Sequence, residues 1–387
     1  MKPILRFTNF DNDWEEIKLL KIASEISYGM NAASKEYDGE NKYIRITDID
    51  EQTNKYIHKN IVSPDGNLEE KFLVKENDIL FARTGASTGK TYLYDKNDGK
   101  LYYAGFLIKA NIINHNANFI FQQTKLNKYN NWVKIMSMRS GQPGINSQEY
   151  GSYKFSITSP EEENKVANFL SLLDKKIELQ SKKIEDLKLF KKGLINSIGK
   201  NIEIEKIPLK NILAEQNHKT IKNNEYEILS STSKGIYLQK DYFNKQAASD
   251  NNVGYKILKK NQLVLSPQNL WMGNININSK YNIGIVSPSY KIFDINNNID
   301  IDFFDYWIKS PKALYEYKIS SEQGASIVRR NLNMDLFYEI KVDIPKGKMQ
   351  NKLGKIIKLL NLKIQYNENS LQKLQELKKG LMQNMFV

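Results

Sequence analysis

The sequence contains no cysteine among its 387 residues, and it has only three histidines. The missing thiol excludes a disulfide framework, a cysteine nucleophile and any metal site held by thiolates. His58, His115 and His218 are too few and too scattered for a histidine-based metal site. No apolar run reaches about 18 residues, and the polar start does not resemble a signal peptide. These absences predict a soluble, intracellular protein without a metal site.

Apolar residues make up 40% of the chain, which is enough for packed cores. The chain also has an excess of basic residues. There are 57 Lys and Arg against 44 Asp and Glu, a formal net charge of +13. A basic balance makes nucleic acid the first partner to test. The excess is uneven, because residues 348–387 contain eight basic and two acidic residues, whereas 1–160 contain 21 and 19. Charge alone therefore predicts either DNA or an acidic protein surface opposite the C-terminal segment.

The chain is a tandem repeat. Residues 187–198 (LKLFKKGLINSI) and 374–385 (LQELKKGLMQNM) share the motif KKGL at an offset of 187 residues. The same offset runs back without gaps over about 55 residues, as far as Asn146 and Asn333. Nearer the front of each half the offset drifts to 184 and 190, and the matching pairs there are Asn77 with Asn261, Gly89 with Gly273, and Leu19 with Leu209. The sequence thus predicts two copies of one unit, each a globular part followed by a helix.

Both helical segments have apolar residues in alternating steps of four and three, which is the a/d pattern of a coiled coil. Pro160 and the acidic residues after it are typical of a helix start. An ordinary amphipathic helix on its own domain is the alternative, but the strict spacing in both copies favours long helices that pair. Parallel and antiparallel pairing both remain open. The predicted packing residues are Leu170, Leu173, Ile177, Ile184, Leu187 and Leu194 in the first copy, and Ile357, Leu360, Ile364, Leu371, Leu374 and Leu381 in the second.

The globular parts alternate short β-type runs with Gly, Asn, Asp and Pro punctuation. Strands are predicted at 42–47, 78–82, 91–94 and 283–286, and helical stretches near 119–138 and 302–320. The predicted fold is therefore mixed α/β (α+β), in two copies. The predicted domains are 1–160 and 200–347, each followed by a heptad helix, at 161–199 and 348–387.

The segment FARTGASTGKT at 81–91 is similar to a phosphate-binding loop. The spacing from Gly85 to Gly89 is one residue short of that motif, and a strand rather than a helix is predicted to follow. A strand-to-strand loop is the better interpretation, with Arg83, Thr84, Ser87 and Lys90 suited to contacts with DNA. No nucleophile elbow and no adenine-methyltransferase motif is present, so no catalytic residues are predicted.

Further DNA-contact candidates lie in loops at matching places in the two copies. Arg is suited to guanine, and Asn or Gln to adenine, by bidentate hydrogen bonding in the major groove. The alternative is that these residues form polar turns that cap the next strand. The candidates are Arg139, Gln142 and Asn146 in the first copy, and Gln268, Asn269, Asn274, Arg329, Arg330 and Asn331 in the second.

The order of these features carries a family resemblance. The first half opens with Trp14…Leu19…Ile22, and the second half has a degenerate counterpart in Ile204…Leu209…Ile212. The first half continues with 78–85 (DILFARTG), 142–146 (QPGIN) and 157–161 (ITSPE) before its heptad helix. This resembles the specificity subunit of type I restriction-modification systems over essentially the whole chain. The second copy lacks the Gln-Pro-Gly, which suits two domains that recognise different sequences.

The resemblance implies that each globular domain, a target-recognition domain, binds one half of a bipartite, asymmetric DNA site. It implies that the helices pack antiparallel, set the spacing and dock two DNA adenine methyltransferase subunits. Motor-nuclease subunits can join such complexes. The chain itself would carry no cofactor, since S-adenosylmethionine, ATP and Mg belong to the partner subunits, and it would act in the cytoplasm.

Two other functions are compatible with parts of the sequence. A coiled-coil scaffold without sequence-specific DNA binding explains the helices but not two diverged, loop-rich domains. A phosphate-loop nucleotide-binding enzyme rests on one defective motif that the second copy does not contain.

Overall fold

The computed structural model describes residues 1–138, 143–200, 202–242, 251–323 and 330–387. Two compact units are present, Met1–Ser181 with Asn369–Val387, and Lys182–Glu368, so each unit contains a segment of both long helices. The helices are α1 (Leu19–Ile22), α2 (Ala117–Gln123), α3 (Asn127–Ser137), α4 (Ser147–Ser152), α5 (Pro160–Lys200), α6 (Gln239–Tyr242), α7 (Ile301–Trp307), α8 (Pro311–Ile319), α9 (Met334–Glu339) and α10 (Met349–Met385).

The strands are short and are distributed over both units. Those of the first unit are β1 (Glu15–Lys18), β2 (Ala23–Tyr28), β3 (Ala33–Glu36), β4 (Lys42–Ile44), β5 (Val62–Asp65), β6 (Asp78–Ala82), β7 (Thr91–Leu93), β8 (Leu101–Tyr103), β9 (Leu107–Ile112) and β10 (Lys154–Ile157). Those of the second are β11 (Ile204–Pro208), β12 (Leu213–Gln216), β13 (Leu229–Thr232), β14 (Gly235–Leu238), β15 (Lys256–Lys259), β16 (Leu263–Leu265), β17 (Ile275–Ile277), β18 (Ile283–Val286), β19 (Lys291–Ile295), β20 (Ser321–Gln323), β21 (Arg330–Leu332) and β22 (Lys341–Pro345).

The two units share one sheet topology. The four-stranded antiparallel sheet has the order β2-β9-β6-β7 in the first unit and β12-β19-β16-β17 in the second. A two-stranded pair, β1–β10 or β11–β22, connects the start of each copy to the strand before its long helix. Asn77 and Asn261, matched by sequence, both adopt positive φ, 68° and 67°, just before β6 and β16. The repeat in the sequence is thus a repeat of secondary structure and turns, and the mixed α/β fold is confirmed.

The central strands β6 and β16 are buried on both faces. Ile79 and Phe81 contact the core below the long helix, whereas Leu80 and Ala82 contact a second core on the opposite face. β16 divides in the same way, with Val264 on the second face. A strand covered on both faces reads as a continuous apolar run, which is why these segments stand out in the sequence.

Three local predictions need correction. The stretch predicted near 119–138 is two helices, α2 and α3, and that near 302–320 is α7 and α8. Pro311 begins α8 at its first turn, where a missing amide hydrogen costs nothing. The strand predicted at 42–47 ends at Ile44, because the Asp48 carboxylate accepts the Arg45 amide at 2.9 Å and turns the chain into a 3-10 helix.

Within each unit the two long-helix segments run antiparallel. In the first, Lys378 pairs with Asp174, while Met382 and Met385 lie in one core cluster with Val166 and Leu170. Residues later in α10 therefore contact residues earlier in α5, as expected for antiparallel helices. In the second unit Lys188 Nζ lies 2.7 Å from Glu368 Oε1, and Lys191 Nζ donates to Asn361 Oδ1 at 2.6 Å. All the predicted seam residues are buried or half-buried.

The first turn of each long helix anchors the globular part of its own unit. The amide of Asn116, the N-cap of α2, donates to the buried carboxylate of Glu163 at 2.9 Å. In the second unit the amide of Asp300, the N-cap of α7, donates to Gln350 Oε1 at 3.1 Å. Glu163 and Gln350 are equivalent at the offset of 187, so both copies use a side chain in the first turn of the long helix to fix a helix N-terminus.

Gly354 allows α10 to approach α7 closely. A Cβ atom there would lie 2.0 Å from Asp300 Oδ1, the oxygen that caps Phe303. We expect Gly354→Ala to lower the free energy of unfolding by about 1–3 kcal/mol, the range for overpacking. Gly380→Ala, in the same helix with no atom within 4 Å of the new Cβ, should raise it by roughly 0.5–1 kcal/mol. Urea unfolding measures both, and a Gly354→Ala variant as stable as wild type would contradict the packing argument.

Candidate nucleic-acid interface

In the first unit the structure brings together two loops that the sequence suggested separately. One is the first-unit loop, residues 83–90 between β6 and β7; the other precedes α4. The Gly85 amide donates to the Pro143 carbonyl at 3.0 Å, and the Ile145 amide donates to the Arg83 carbonyl at 2.9 Å. Candidate DNA-contact residues 60 positions apart in sequence therefore share one backbone-paired surface.

Arg83 is held against an aromatic ring that sequence reasoning missed. Its guanidinium lies 4.8 Å from the ring centroid of Tyr28, and Nη1 donates to the Gly105 carbonyl at 3.4 Å. The Tyr28 hydroxyl accepts the Ser147 amide at 3.1 Å. Partial burial acts to raise the pKa of Tyr28, but the Ser147 hydrogen bond and the charge of Arg83 bring it below its ordinary value. No sequence motif marks Tyr28, since only the fold places the end of β2 beside the loop.

The other candidate residues of the first-unit loop differ in the direction of their side chains. Thr84 and Ser87 are half-buried on a 3-10 turn, Gly85–Ser87, that the Thr88 hydroxyl closes by donating to the Gly85 carbonyl at 2.7 Å. Lys90 points inward, because Nζ donates to the Ile49 carbonyl at 3.1 Å. Strand β7 follows the loop, so no helix N-terminus is available to hold a phosphate as in a phosphate-binding loop.

Asn146 has a structural role that its position explains. Its side chain accepts the Glu149 amide at 2.9 Å and caps α4, and the Asn146 amide donates to the Glu149 carboxylate at 2.7 Å. Asn333, its equivalent, caps α9 in the same way. Asn146 therefore acts as a cap, as in the alternative to DNA contact given above, but it caps a helix and not a strand. Arg139 and Gln142 lie outside the described residues.

The second unit repeats the arrangement with different residues. The second-unit loop, 266–274 between β16 and β17, contains a 3-10 helix, Pro267–Met272, that packs beside α8 and β21. Gln268 is exposed and Asn269 is half-buried on this turn. Asn274 is buried, and its Oδ1 accepts the Ser231 hydroxyl at 2.8 Å, so its amide supports the loop from within rather than facing the surface.

The hairpin β20–β21 carries the last candidates. Arg330 folds back on the end of α8, with Nε donating to Ser321 Oγ at 3.0 Å and Nη2 donating to the Ser321 carbonyl at 2.6 Å. Asn331 is exposed on β21, which adjoins the second-unit loop. Arg329 lies outside the described residues. Two loop regions thus meet in each unit.

Exposed apolar residues lie at equivalent places near both loops. Ile135 on α3 and Ile319 on α8 are matched at an offset of 184, and both are more than half exposed. Isolated exposed apolar residues are common, but a matched pair in two diverged copies is a shared feature of the surface. Because such side chains pack against the thymine methyl group, they suit a major-groove surface. Sequence periodicity gave no signal for them.

Neither a metal site nor a membrane span is found in the part of the chain that the structure describes. No three His, Asp or Glu side chains there are grouped so as to hold a metal ion. Among the same residues, every helix is too short or too polar to cross a bilayer.

Comparisons with known proteins agree with this geometry. Residues 12–189 match the family described as the type I restriction modification DNA specificity domain. A crystal structure of a type I restriction-modification system S subunit from M. genitalium is similar over 100% of this chain and 99% of that chain, with a TM-score of 0.65 and 17% identity.

A second solved structure comes from work on complex assembly and conformational transition of the type I R-M system. It covers 96% of this chain and 97% of that chain, with a TM-score of 0.50 and 10% identity. Identities this low show a shared fold and no more, whereas the match at residues 12–189 identifies the domain. Residues 12–189 of this chain therefore match the DNA specificity domain of type I restriction-modification systems, and the whole chain has the fold of a solved S subunit.

Proposed function

We propose that this chain selects the DNA sequence for a type I restriction-modification complex, with each unit binding one half of a bipartite, asymmetric site. The observation that carries the proposal is the paired loops, which occupy the same position in both units but present different residues. Arg83 on the Tyr28 ring serves one half-site, and Gln268 with Asn331 serves the other. Divergence within a retained topology is expected when two copies recognise different bases.

The long helices are proposed to set the distance between the half-sites. A helix of 41 residues such as α5 extends roughly 60 Å at about 1.5 Å per residue, longer than one DNA turn of about 34 Å. The antiparallel contacts within each unit support pairing of the two long helices in both units. Lys182, Lys183 and other exposed lysines along the helices suit either the DNA spacer or an acidic partner.

The outer faces of the helices are proposed to dock two methyltransferase subunits. Leu172 and Leu359 are equivalent, as are Leu179 and Tyr366, and each is 59% to 71% exposed. Two copies of one exposed apolar patch suit two copies of one partner. The adenine methylation, its S-adenosylmethionine, and any ATP and Mg then belong to the partner subunits, and the complex acts in the cytoplasm. Motor-nuclease subunits can join an assembly of this kind.

Shortening the helices tests this function. Deleting one heptad from each, Ile177–Lys183 and Ile364–Ser370, keeps the a/d phase and removes about 10 Å. We expect methylated-adenine mapping, in cells that carry the chain with its methyltransferase subunits, to give the same two half-sites with a spacer shorter by about three base pairs.

The control retains helix length and replaces exposed lysines, Lys183→Ala with Lys373→Ala, which should leave the spacer unchanged. If the deletion variant methylates sites with the original spacing, the helices do not set that distance. If wild type shows no bipartite motif, the chain is not a sequence-selecting subunit of this kind.

A further inference from the structure

We propose that Tyr129 and Tyr150 are positioning residues that hold the two ends of the first-unit loop and thereby set the recognition of one half-site. The inference rests on the proposed function, because it assigns a specificity role within it. Both tyrosines lie beneath the loop and are at most 1% exposed. Their hydroxyl groups therefore act through the loop backbone and do not contact DNA.

The base of the loop is formed by Ala82, the last residue of β6, and Gly89, two residues before β7 begins. The Gly89 amide donates to the Ala82 carbonyl at 2.9 Å, which closes the base of the loop. Tyr150, on α4, donates its hydroxyl to the same Ala82 carbonyl at 2.7 Å. Tyr129, on α3, donates its hydroxyl to the Gly89 carbonyl at 3.1 Å. Each end of the loop thus has one tyrosine hydroxyl beneath it, from two different helices.

Packing leaves the loop base little freedom to compensate for a lost hydrogen bond. Gly89 has a φ of 91°, and a Cβ atom there would lie 2.5 Å from Val133 Cγ1 on α3. The Tyr150 ring lies 5.0 Å from Phe81, the residue before Ala82. Burial raises the pKa of both tyrosines, so both hydroxyls remain donors at any working pH. Arg83 and Thr84, which follow Ala82 directly, take their orientation from this base.

The second unit lacks both hydroxyl groups. The equivalents of Tyr129 and Tyr150 are Ala313 and Phe337. That unit uses the Ser231–Asn274 hydrogen bond described above, so the two loops are held by different chemistry. A change at the tyrosines should therefore affect one half-site and leave the other unchanged.

The second unit also offers a matched control. Tyr317 on α8 is fully buried, and its hydroxyl has no hydrogen-bond partner among the described residues. Tyr317→Phe removes a buried tyrosine hydroxyl, as Tyr129→Phe and Tyr150→Phe do, but without removing a loop contact.

The test uses the full chain assembled with its methyltransferase subunits and a DNA library with single-base changes in each half-site. Methylation sequencing gives the discrimination against wrong bases at each half-site. We expect Tyr129→Phe and Tyr150→Phe each to reduce discrimination at one half-site, the same one for both, by roughly three- to tenfold, the range of one net hydrogen bond. Tyr317→Phe should leave both half-sites at wild-type discrimination.

A merely structural role would give a different pattern. A smaller folded fraction lowers methylation at all sites by one factor and leaves the discrimination ratios unchanged. Wild-type ratios at both half-sites in the tyrosine variants, or equal losses at both, would overturn the positioning role. Absence of any bipartite preference in wild type would instead overturn the proposed function and this inference with it.

Discussion

Replacing Phe386 by alanine is expected to lower the free energy of unfolding of the first unit by about 3–5 kcal/mol, the range for a buried phenylalanine. Phe386 packs into the core of a domain that begins some 370 residues earlier. Its ring centroid lies 5.2 Å from Phe119 and 6.0 Å from Trp14. Removing the Phe386 ring leaves a cavity where the end of α10 contacts the globular part of the first unit.

Urea unfolding followed by tryptophan fluorescence measures this effect, since Trp14 borders the cavity. Phe190→Ala is the matched control, because Phe190 lies on a long helix and is 58% exposed. It should change the free energy of unfolding by no more than about 0.5 kcal/mol. Equal effects of the two substitutions would show that Phe386 is not part of the core in solution.

Replacing Glu162 by alanine is expected to cost about 3 kcal/mol, because Glu162 is buried and its removal leaves the half-buried Arg6 guanidinium without its counter-charge. Arg6 Nε and Nη2 donate to the two oxygens of Glu162 at 2.7 and 2.8 Å. Trp14 Nε1 and the Thr158 hydroxyl also donate to this carboxylate, at 3.1 and 2.6 Å. One side chain at the start of α5 thus fixes the N-terminal segment, the β1 entry and the loop before the helix.

Glu161 provides the control, since it is adjacent, acidic and exposed. Glu161→Ala removes only a helix-dipole contact and should cost less than about 1 kcal/mol. Urea unfolding of the two variants under the same conditions compares them directly. Similar losses from both would mean that net charge at the helix start, and not the buried pairing, supports the unit.

The same carboxylate predicts a pH dependence. Burial acts to raise the pKa of Glu162, but hydrogen bonds from Arg6 and Thr158 outweigh it and hold the pKa below its ordinary value. A lowered pKa in the folded state gives stability that is present above the unfolded value of about 4.3 and is lost as the pH falls through the folded value. Glu162→Gln removes the titrating carboxylate. The free energy of unfolding of this variant should therefore fall less between neutral and acidic pH than that of wild type, as measured by urea unfolding at several pH values.

The sequence predicted the fold best where one physical signal repeats. The heptad spacing predicted both long helices, with α5 beginning at Pro160, and the apolar run that follows Asp78 predicted strand β6 at 78–82. The offset between the copies matched Asn77 with Asn261, and both residues adopt the same positive φ in the structure. These features are local or periodic, so a single sequence contains them.

The candidate site was harder to predict, because its residues are joined by contacts between distant segments. Arg83 stood out as a basic residue in a loop, but its partner Tyr28 lies on β2 and carries no motif. Asn274 has the same chemistry as Asn269, yet the fold buries it against Ser231. Residue type alone does not identify the side chains that can contact DNA, because backbone pairing between distant segments decides which side chains face outward.

By itself, the sequence determined that the chain has two copies of one unit, each ending in a long heptad helix, without cysteine chemistry. Hydrophobic periodicity and self-similarity suffice for that, because they depend on spacing along the chain. Only the tertiary structure decided that the helix segments within each unit run antiparallel, that Phe386 completes a core begun at Trp14, and that two loops meet in each unit. Those outcomes depend on which distant surfaces bury each other, and a linear pattern does not encode that pairing.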